Sequence, residues 1–200
     1  NPHFLFNSIM GISAMAQKAG SKEIISMCTQ LSDMLRYVAA YGGEDVALKE
    51  EVSHMLNYLK LQKWRFDKNI AYEVAVDEEL YEIKVPKLIL QPLVENCFYH
   101  GFQSVPPPWK ITVVGEIKED LWLIRISDNG SGFRKEVIQD IRIRVEEYEN
   151  KIYLDKELEK MKLGGMGVLN IFVRLRLLYR ENAVFDIDNG DNGGCTITLG

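Results

Sequence analysis

Apolar residues from Leu5 fall at Leu5, Ile9, Ile12, Ala16 and Ala19; from Ile24 they fall at Ile24, Cys28, Leu31, Leu35 and Val38. Both series step by four, three, four and three, the spacing of a helix with one apolar seam. Gly20-Ser21 separates them, and Ser21 before Lys22-Glu23 is a helix start. Two such helices joined by a short turn make an αα-hairpin. One hairpin leaves part of each seam uncovered, whereas two hairpins in a dimer close into a four-helix bundle. Gly42-Gly43 ends the second helix. A third is expected over residues 48–66, with Val52, Leu56, Leu59 and Phe66 as its stripe and Glu50 and Glu51 near its positive end.

Beyond residue 66 the period changes. Residues 70–76 alternate as a strand, and 110–117 and 121–127 are strands joined by the short turn Lys118-Glu119-Asp120. Residues 184–187 and 195–199 flank a turn-rich run of Asp, Asn and Gly. Between strands lie an apolar helix opening at Pro86 and carrying Gln91 to Gly101, and an amphipathic helix over 168–179. Pro92, beyond the first turn of the former, predicts a kink or a restart of that helix. Residues 134–162 are charged, with few large apolar residues and a helical composition, between glycine-bearing stretches. Hairpin-connected strand pairs imply a mixed sheet, with helices covering one face. The expected fold class is α+β: a helical hairpin followed by a two-layer α/β sandwich.

Composition narrows the picture only slightly. Among 200 residues, 46% are hydrophobic and 26% charged, ordinary globular values. A net charge of −5 argues against a general nucleic-acid binder. Cys28, Cys97 and Cys195 lack metal-type spacing and read as reduced packing thiols. No apolar run is long enough to span a bilayer and no signal peptide opens the chain. The first residue is Asn1 rather than Met, which suggests a fragment whose upstream sensor or membrane segments lie outside it.

Candidate chemistry sits in four places. Glu95, Asn96 and His100 lie close together on one helix; a carboxamide can hold Mg²⁺ together with phosphates, and Glu95 can orient water or polarise an imidazole. Asp128-Asn129-Gly130-Ser131-Gly132 ends a strand with a carboxylate that could accept from an exocyclic amine, beside glycines that let backbone approach a ligand. Asn-Gly is equally a hairpin turn. Gly164-Gly165-Met166-Gly167 runs into a helix start, a place for a phosphate chain or simply a hinge. His3 lies about 200° from the seam residue Leu5, which leaves it available to another domain or merely solvated.

Taken in order, these stretches resemble a known family. Glu95-Asn96 with His100-Gly101, the run Asp128 to Gly132, and Gly165-Met166-Gly167-Val168-Leu169-Asn170 resemble the N, G1 and G2 boxes of GHKL (Bergerat-fold) ATP-binding domains. Asn1-Pro2-His3-Phe4-Leu5-Phe6-Asn7 resembles the phosphoacceptor motif of LytS/YehU-type sensor histidine kinases, as do Leu35-Arg36-Tyr37, Leu48-Lys49-Glu50-Glu51, Tyr58-Leu59, Gln62 and Arg65-Phe66. The resemblance implies ATP and Mg²⁺ as cofactors, His3 as the phosphorylated residue, and Glu95 as a catalytic acidic group. It implies Asn96 as metal ligand and Asp128 as the adenine partner. His100, Gly130, Gly132, Gly165, Gly167 and Asn170 would complete the ATP site. It implies residues 1–66 as phosphoacceptor and dimerisation region with a connecting helix, 67–200 as catalytic domain, and an ATP lid at about 133–163. Phe4 follows His3 where larger histidine-kinase families carry an acid, so the base for His3 is open. Homodimerisation, transfer to an Asp of a response regulator, and a cytoplasmic location in a bacterial membrane sensor are also implied. A GHKL ATPase machine and a non-catalytic dimer module are the alternatives. The former does not account for Asn1 to Asn7, and an intact Asp128 and Asn96 argue against the latter.

Overall fold

The structure, a computed structural model, describes residues 2–40, 45–150, 167–190 and 193–200. Helices α1 (Pro2–Lys18) and α2 (Lys22–Ala39) pack on each other as the seam spacing predicts. Ile9, Ala16 and Cys28 are buried, but alternate seam residues are not: Ile12 is 52% and Val38 55% exposed. The glycines expected to end α2, Gly42 and Gly43, lie outside the described residues.

Helix α3 (Leu48–Phe66) begins after a short strand β1 (Asp45–Ala47), and the Glu50 carboxylate accepts the Ala47 N–H at 3.2 Å. From the sequence α3 is the helix that connects the hairpin to the catalytic domain. Its Leu48, Val52, Met55 and Leu59 join the core that the sheet and α4 share. Glu51 turns inward instead of supporting the start of α3, and it is fully buried.

The main sheet has five strands in the order β2-β4-β5-β7-β6, formed by β2 (Ile70–Val76), β4 (Trp109–Lys118), β5 (Leu121–Asp128), β6 (Phe185–Asn189) and β7 (Cys195–Leu199). Strands β2 and β4 run parallel and every other pair antiparallel, so the sheet is mixed as expected. A second small sheet, β1 with β3 (Lys84–Pro86), has no signal in the alternation because each strand has three residues. Period-two alternation places Val113, Ile126, Ile197 and Ile187 in one cross-strand row facing the helices. The opposite face carries pairs such as Arg125–Glu116 at 3.3 Å.

One expectation needs correction. The helix expected from Pro86 starts later: α4 spans Leu90–Asn96, and Pro86 ends β3. Pro92 therefore falls in the first turn, where its missing N–H costs no helical bond, so of the two expected outcomes there, a kink or a helix start, the chain takes the start. The irregularity lies further on, in a π-helical turn over Cys97–Gly101. Residues 134–162 have the expected helical character in their first half, which forms helix α5 (Lys135–Asn150) and packs on β6 and on α6 (Gly167–Tyr179). Ile138, Ile141 and Val145 anchor it in the core. Three apolar residues at helical spacing suffice to fix one face of such a helix, however charged the rest of the segment.

Candidate functional site

Strand β5 and helix α4 with its π-turn converge on one cleft. Asn96, His100, Asp128 and Gly132 line it, together with apolar walls from Leu93, Ile126, Phe133 and Ile197. These four come from stretches up to 36 residues apart in the chain, from Asn96 to Gly132. A largely apolar cleft with few convergent polar groups is the usual form of a small-molecule site.

Asp128 is the polar group most strongly committed to it. Its Oδ1 accepts the Gly130 N–H at 2.7 Å, while burial pushes the carboxyl above its ordinary range and that N–H bond partly opposes the push. One carboxylate oxygen is thus held by backbone, and the group keeps capacity to accept from a ligand amine. Asn129-Gly130 does not turn a hairpin. The chain leaves the sheet there, and the Asn129 side chain ties the exit to the neighbouring strand. Its Oδ1 accepts the Lys110 N–H at 2.6 Å and its amide donates to Pro108 O at 3.0 Å.

The loop after Asp128 is packed backbone to backbone. A Cβ on Gly130 would lie 2.4 Å from the Gly101 carbonyl oxygen, and the Ser131 N–H donates to that same oxygen at 2.8 Å. Gly101 therefore serves as a seat for the loop, not only as a helix terminator. A Cβ on Gly194 would lie 1.9 Å from the Asp128 carbonyl oxygen. Asn189 clamps the far side, accepting the Phe133 N–H at 2.9 Å and donating to Phe133 O at 2.7 Å. Neither Asn189 nor Gly194 is singled out by the sequence, where both read as part of a turn. Their role exists only once β6 and β7 lie beside β5.

Two thiols flank the carboxylate. Burial and the Asp128 charge push Cys97 well up, and burial with the Asp128 and Asp188 charges pushes Cys195 up to about 12. Both stay protonated at neutral pH and so are not nucleophiles; the Cys97 thiol instead donates to the Asp128 carboxylate.

The remaining predicted residues fall around the cleft. Glu95 sits beside Asn96 on α4, and the Gln91 amide donates to its Oε1 at 2.7 Å. Gly167 begins α6 with open space where a Cβ would stand, and Asn170 is exposed one turn on. Gly165 lies outside the described residues. His3 is exposed on α1, its Nδ1 3.2 Å from the Asn7 amide nitrogen. No residue of α1 or α2 lines the cleft, so His3 is not at it.

The donor set suits Mg²⁺ bound mainly through phosphates. Among the described residues no group of three or more His, Cys, Asp and Glu could hold a metal, whereas the half-buried Asn96 presents one carboxamide at the cleft wall. Mg²⁺ commonly takes one or two protein ligands beside substrate oxygens. Among the described residues no helix is long and apolar enough to cross a membrane.

Comparison with known proteins agrees with this arrangement. Residues 1–70 match the family model described as Histidine kinase. The chain is 28% identical over 199 residues to the sensor histidine kinase YesM of Bacillus subtilis, covering 100% of this chain and 31% of that protein. It is 30% identical over 202 residues to the sensor protein LytS of Bacillus anthracis, covering 100% of this chain and 32% of that protein. The chain thus spans about a third of the length of these relatives. Among solved structures, the histidine kinase domain of a blue-light activated histidine kinase from Erythrobacter litoralis superposes with a TM-score of 0.50 at 13% identity, covering 100% of this chain and 84% of that one. That likeness speaks to the fold, and the sequence relatives speak to the lineage: the chain belongs to the sensor histidine kinase family of two-component systems.

Proposed function

We propose that the cleft between α4 and β5 binds ATP with Mg²⁺, and that the chain transfers the γ-phosphoryl group to His3. The single observation that carries the reading is Asp128. Its carboxylate is half-buried at an apolar cleft, where burial penalises the charge, and the Gly130 N–H, the Cys97 thiol and the Cys195 N–H support it. Its oxygens keep capacity to accept an adenine amine as well, and Ile126, Ile197 and Phe133 would cover the ring faces. Asn96 would hold Mg²⁺, which would neutralise phosphate charge during transfer. The N-terminal end of α6, at Gly167, offers backbone N–H groups to the phosphate chain.

In the transfer the bond between the γ-phosphorus and its bridging oxygen breaks, ADP leaves, and a P–N bond forms to the His3 ring. The Asn7 side chain lies against Nδ1. Glu95, held by Gln91, is the acidic group beside the metal ligand and the candidate to receive a proton. Since no residue of the hairpin lines the cleft, phosphorylation requires either movement of the ATP unit or a second copy that presents its own His3.

The wider reading follows from the family. The chain acts as a homodimer whose hairpins pair through the exposed half of the seam, and phospho-His3 passes its group to a response-regulator Asp. Residues 1–66 carry the acceptor and 67–200 the nucleotide site. The chain lies on the cytoplasmic side of a bacterial membrane sensor. The test is incubation with γ-labelled ATP and Mg²⁺: acid-labile, base-stable label on the protein supports the kinase, and released phosphate without it supports an ATPase.

A further inference from the structure

The end of α2 and the start of α4 meet at one fully buried carboxylate. Glu51, on α3, accepts the backbone N–H groups of Leu88, Ile89 and Leu90 at 2.6, 2.8 and 3.0 Å. It also accepts the Tyr37 hydroxyl, from α2, at 2.5 Å. The backbone is shaped for this. Leu88 takes a left-handed φ of 61° and Ile89 follows at φ −102° and ψ −35°. Successive residues of opposite hand turn their N–H groups to one point, an anion-binding concavity. The orphan donors at the start of α4 are thus satisfied by a side chain from another helix, 37 to 39 residues earlier in the chain. A second bridge runs parallel to the first. The Lys87 ammonium donates to Ala40 O at 3.0 Å and lies 4.9 Å from the Tyr37 ring centroid, and the Arg174 guanidinium from α6 donates to Lys87 O.

Helix α4 is only seven residues long, and Glu95 and Asn96 are its last two. So short a rod passes a displacement of its first turn directly to its last. We propose that Glu51 is a positioning residue for phosphoryl transfer, setting the first turn of α4 and, through Tyr37, tying the placement of Glu95 and Asn96 to the end of α2. The rate arm of this inference rests on the kinase reading above. Glu51 touches neither nucleotide nor His3; it acts through α4. Because transfer rates respond to sub-ångström misplacement while binding tolerates it, loosening the joint should separate rate from affinity. It also gives the hairpin a physical route to the nucleotide site: any shift of the α2 terminus pulls on the carboxylate that fixes α4.

The experiment uses Tyr37→Phe and Glu51→Gln beside the parent, with three readouts: calorimetric affinity for Mg²⁺·ATP, single-turnover labelling of His3, and amide hydrogen exchange over residues 88–96. Tyr37→Phe removes one hydroxyl and keeps the ring, so it should fold. It should bind ATP within about twofold of the parent, label about tenfold more slowly, and exchange the α4 amides about tenfold faster. Glu51→Gln loses the charge that three N–H groups converge on; it should slow labelling and speed exchange of the α4 amides by more than Tyr37→Phe does, with ATP affinity again within about twofold of the parent. Parent-like exchange and labelling in Tyr37→Phe would overturn the inference, as would parent-like exchange and labelling in a folded Glu51→Gln. If Glu51→Gln does not fold, Tyr37→Phe alone decides. If the parent binds ATP but never labels, the kinase reading fails, and the exchange arm still decides whether Glu51 sets α4.

Discussion

At the scale of single residues, the cleft is built around a group that the fold alone does not favour. Burial raises the Asp128 carboxyl above its ordinary value. A raised folded value means that the protonated form suits the fold, so stability is lost as pH rises through it, and the ionised group is a cost at neutral pH. Asp128→Asn keeps an oxygen for the Gly130 N–H and removes that charge. The ligand-free protein should therefore melt at a slightly higher temperature, while affinity for ATP falls tenfold to a hundredfold, on the order of 1.5–3 kcal/mol for one charge-assisted bond. Calorimetry of both kinds checks this pair, and an unchanged ATP affinity would remove Asp128 from the adenine site. Asn96→Asp tests the metal side. An added charge beside the phosphates should leave the fold intact and change how strongly Mg²⁺ enhances ATP binding. Equal enhancement by Mg²⁺ in both proteins would exclude Asn96 as ligand.

At the scale of elements, α2, α3 and α4 are joined by buried polar groups as well as by apolar packing. His54 on α3 is buried against the Tyr37 ring, centroids 4.3 Å apart, with Glu51, Lys87 and Gln91 around it. Burial lowers its pKa more than the Glu51 charge raises it. The folded state therefore holds the imidazole neutral. Its contribution is complete above the ordinary value of about 6.5 and is lost as pH falls below that toward the lowered folded value. Urea midpoints should decline from about pH 7 downward, and His54→Phe should flatten that decline; the same slope in both would mean that other groups carry it. These contacts also mark the limit of what the chain pattern discloses. Strands β2, β4, β5 and β7 and helices α3 and α6 are legible because their apolar periods are long and clean. The start of α4 is not, because Leu88 to Leu90 take their conformation from Glu51, a residue whose position beside Glu50 in the sequence suggests an ordinary helix start. Asp128, Asn96 and His100 are legible through the resemblance of their motifs. Asn189, Gly194 and the Gly101 seat are not, because their contacts form only across the assembled sheet.

At the scale of the whole molecule, the hairpin leaves half of its seam uncovered, with Leu5, Ile12, Ile24, Leu31 and Val38 each exposed by 41% or more. A second copy could bury them, and each fully buried Leu or Ile contributes ~1.5–3 kcal/mol. Leu31→Glu should convert a dimer to a monomer in light scattering without altering the melting of the sheet core; a parent that is already monomeric at high concentration would refute the bundle. The hairpin is tied to the cleft's helix α4 through Tyr37 and Glu51, yet no hairpin residue lines the cleft, so on the proposed kinase reading a nucleotide bound in one place must reach a ring held in another. The most direct test follows the phosphoryl group itself. Parent, His3→Gln and His100→Gln proteins are incubated with γ-labelled ATP and Mg²⁺, and the labelled residue is identified. Label stable in base and labile in acid should appear on His3 in the parent and vanish in His3→Gln, which still binds ATP. The same acid-labile label persisting in His3→Gln would contradict the account.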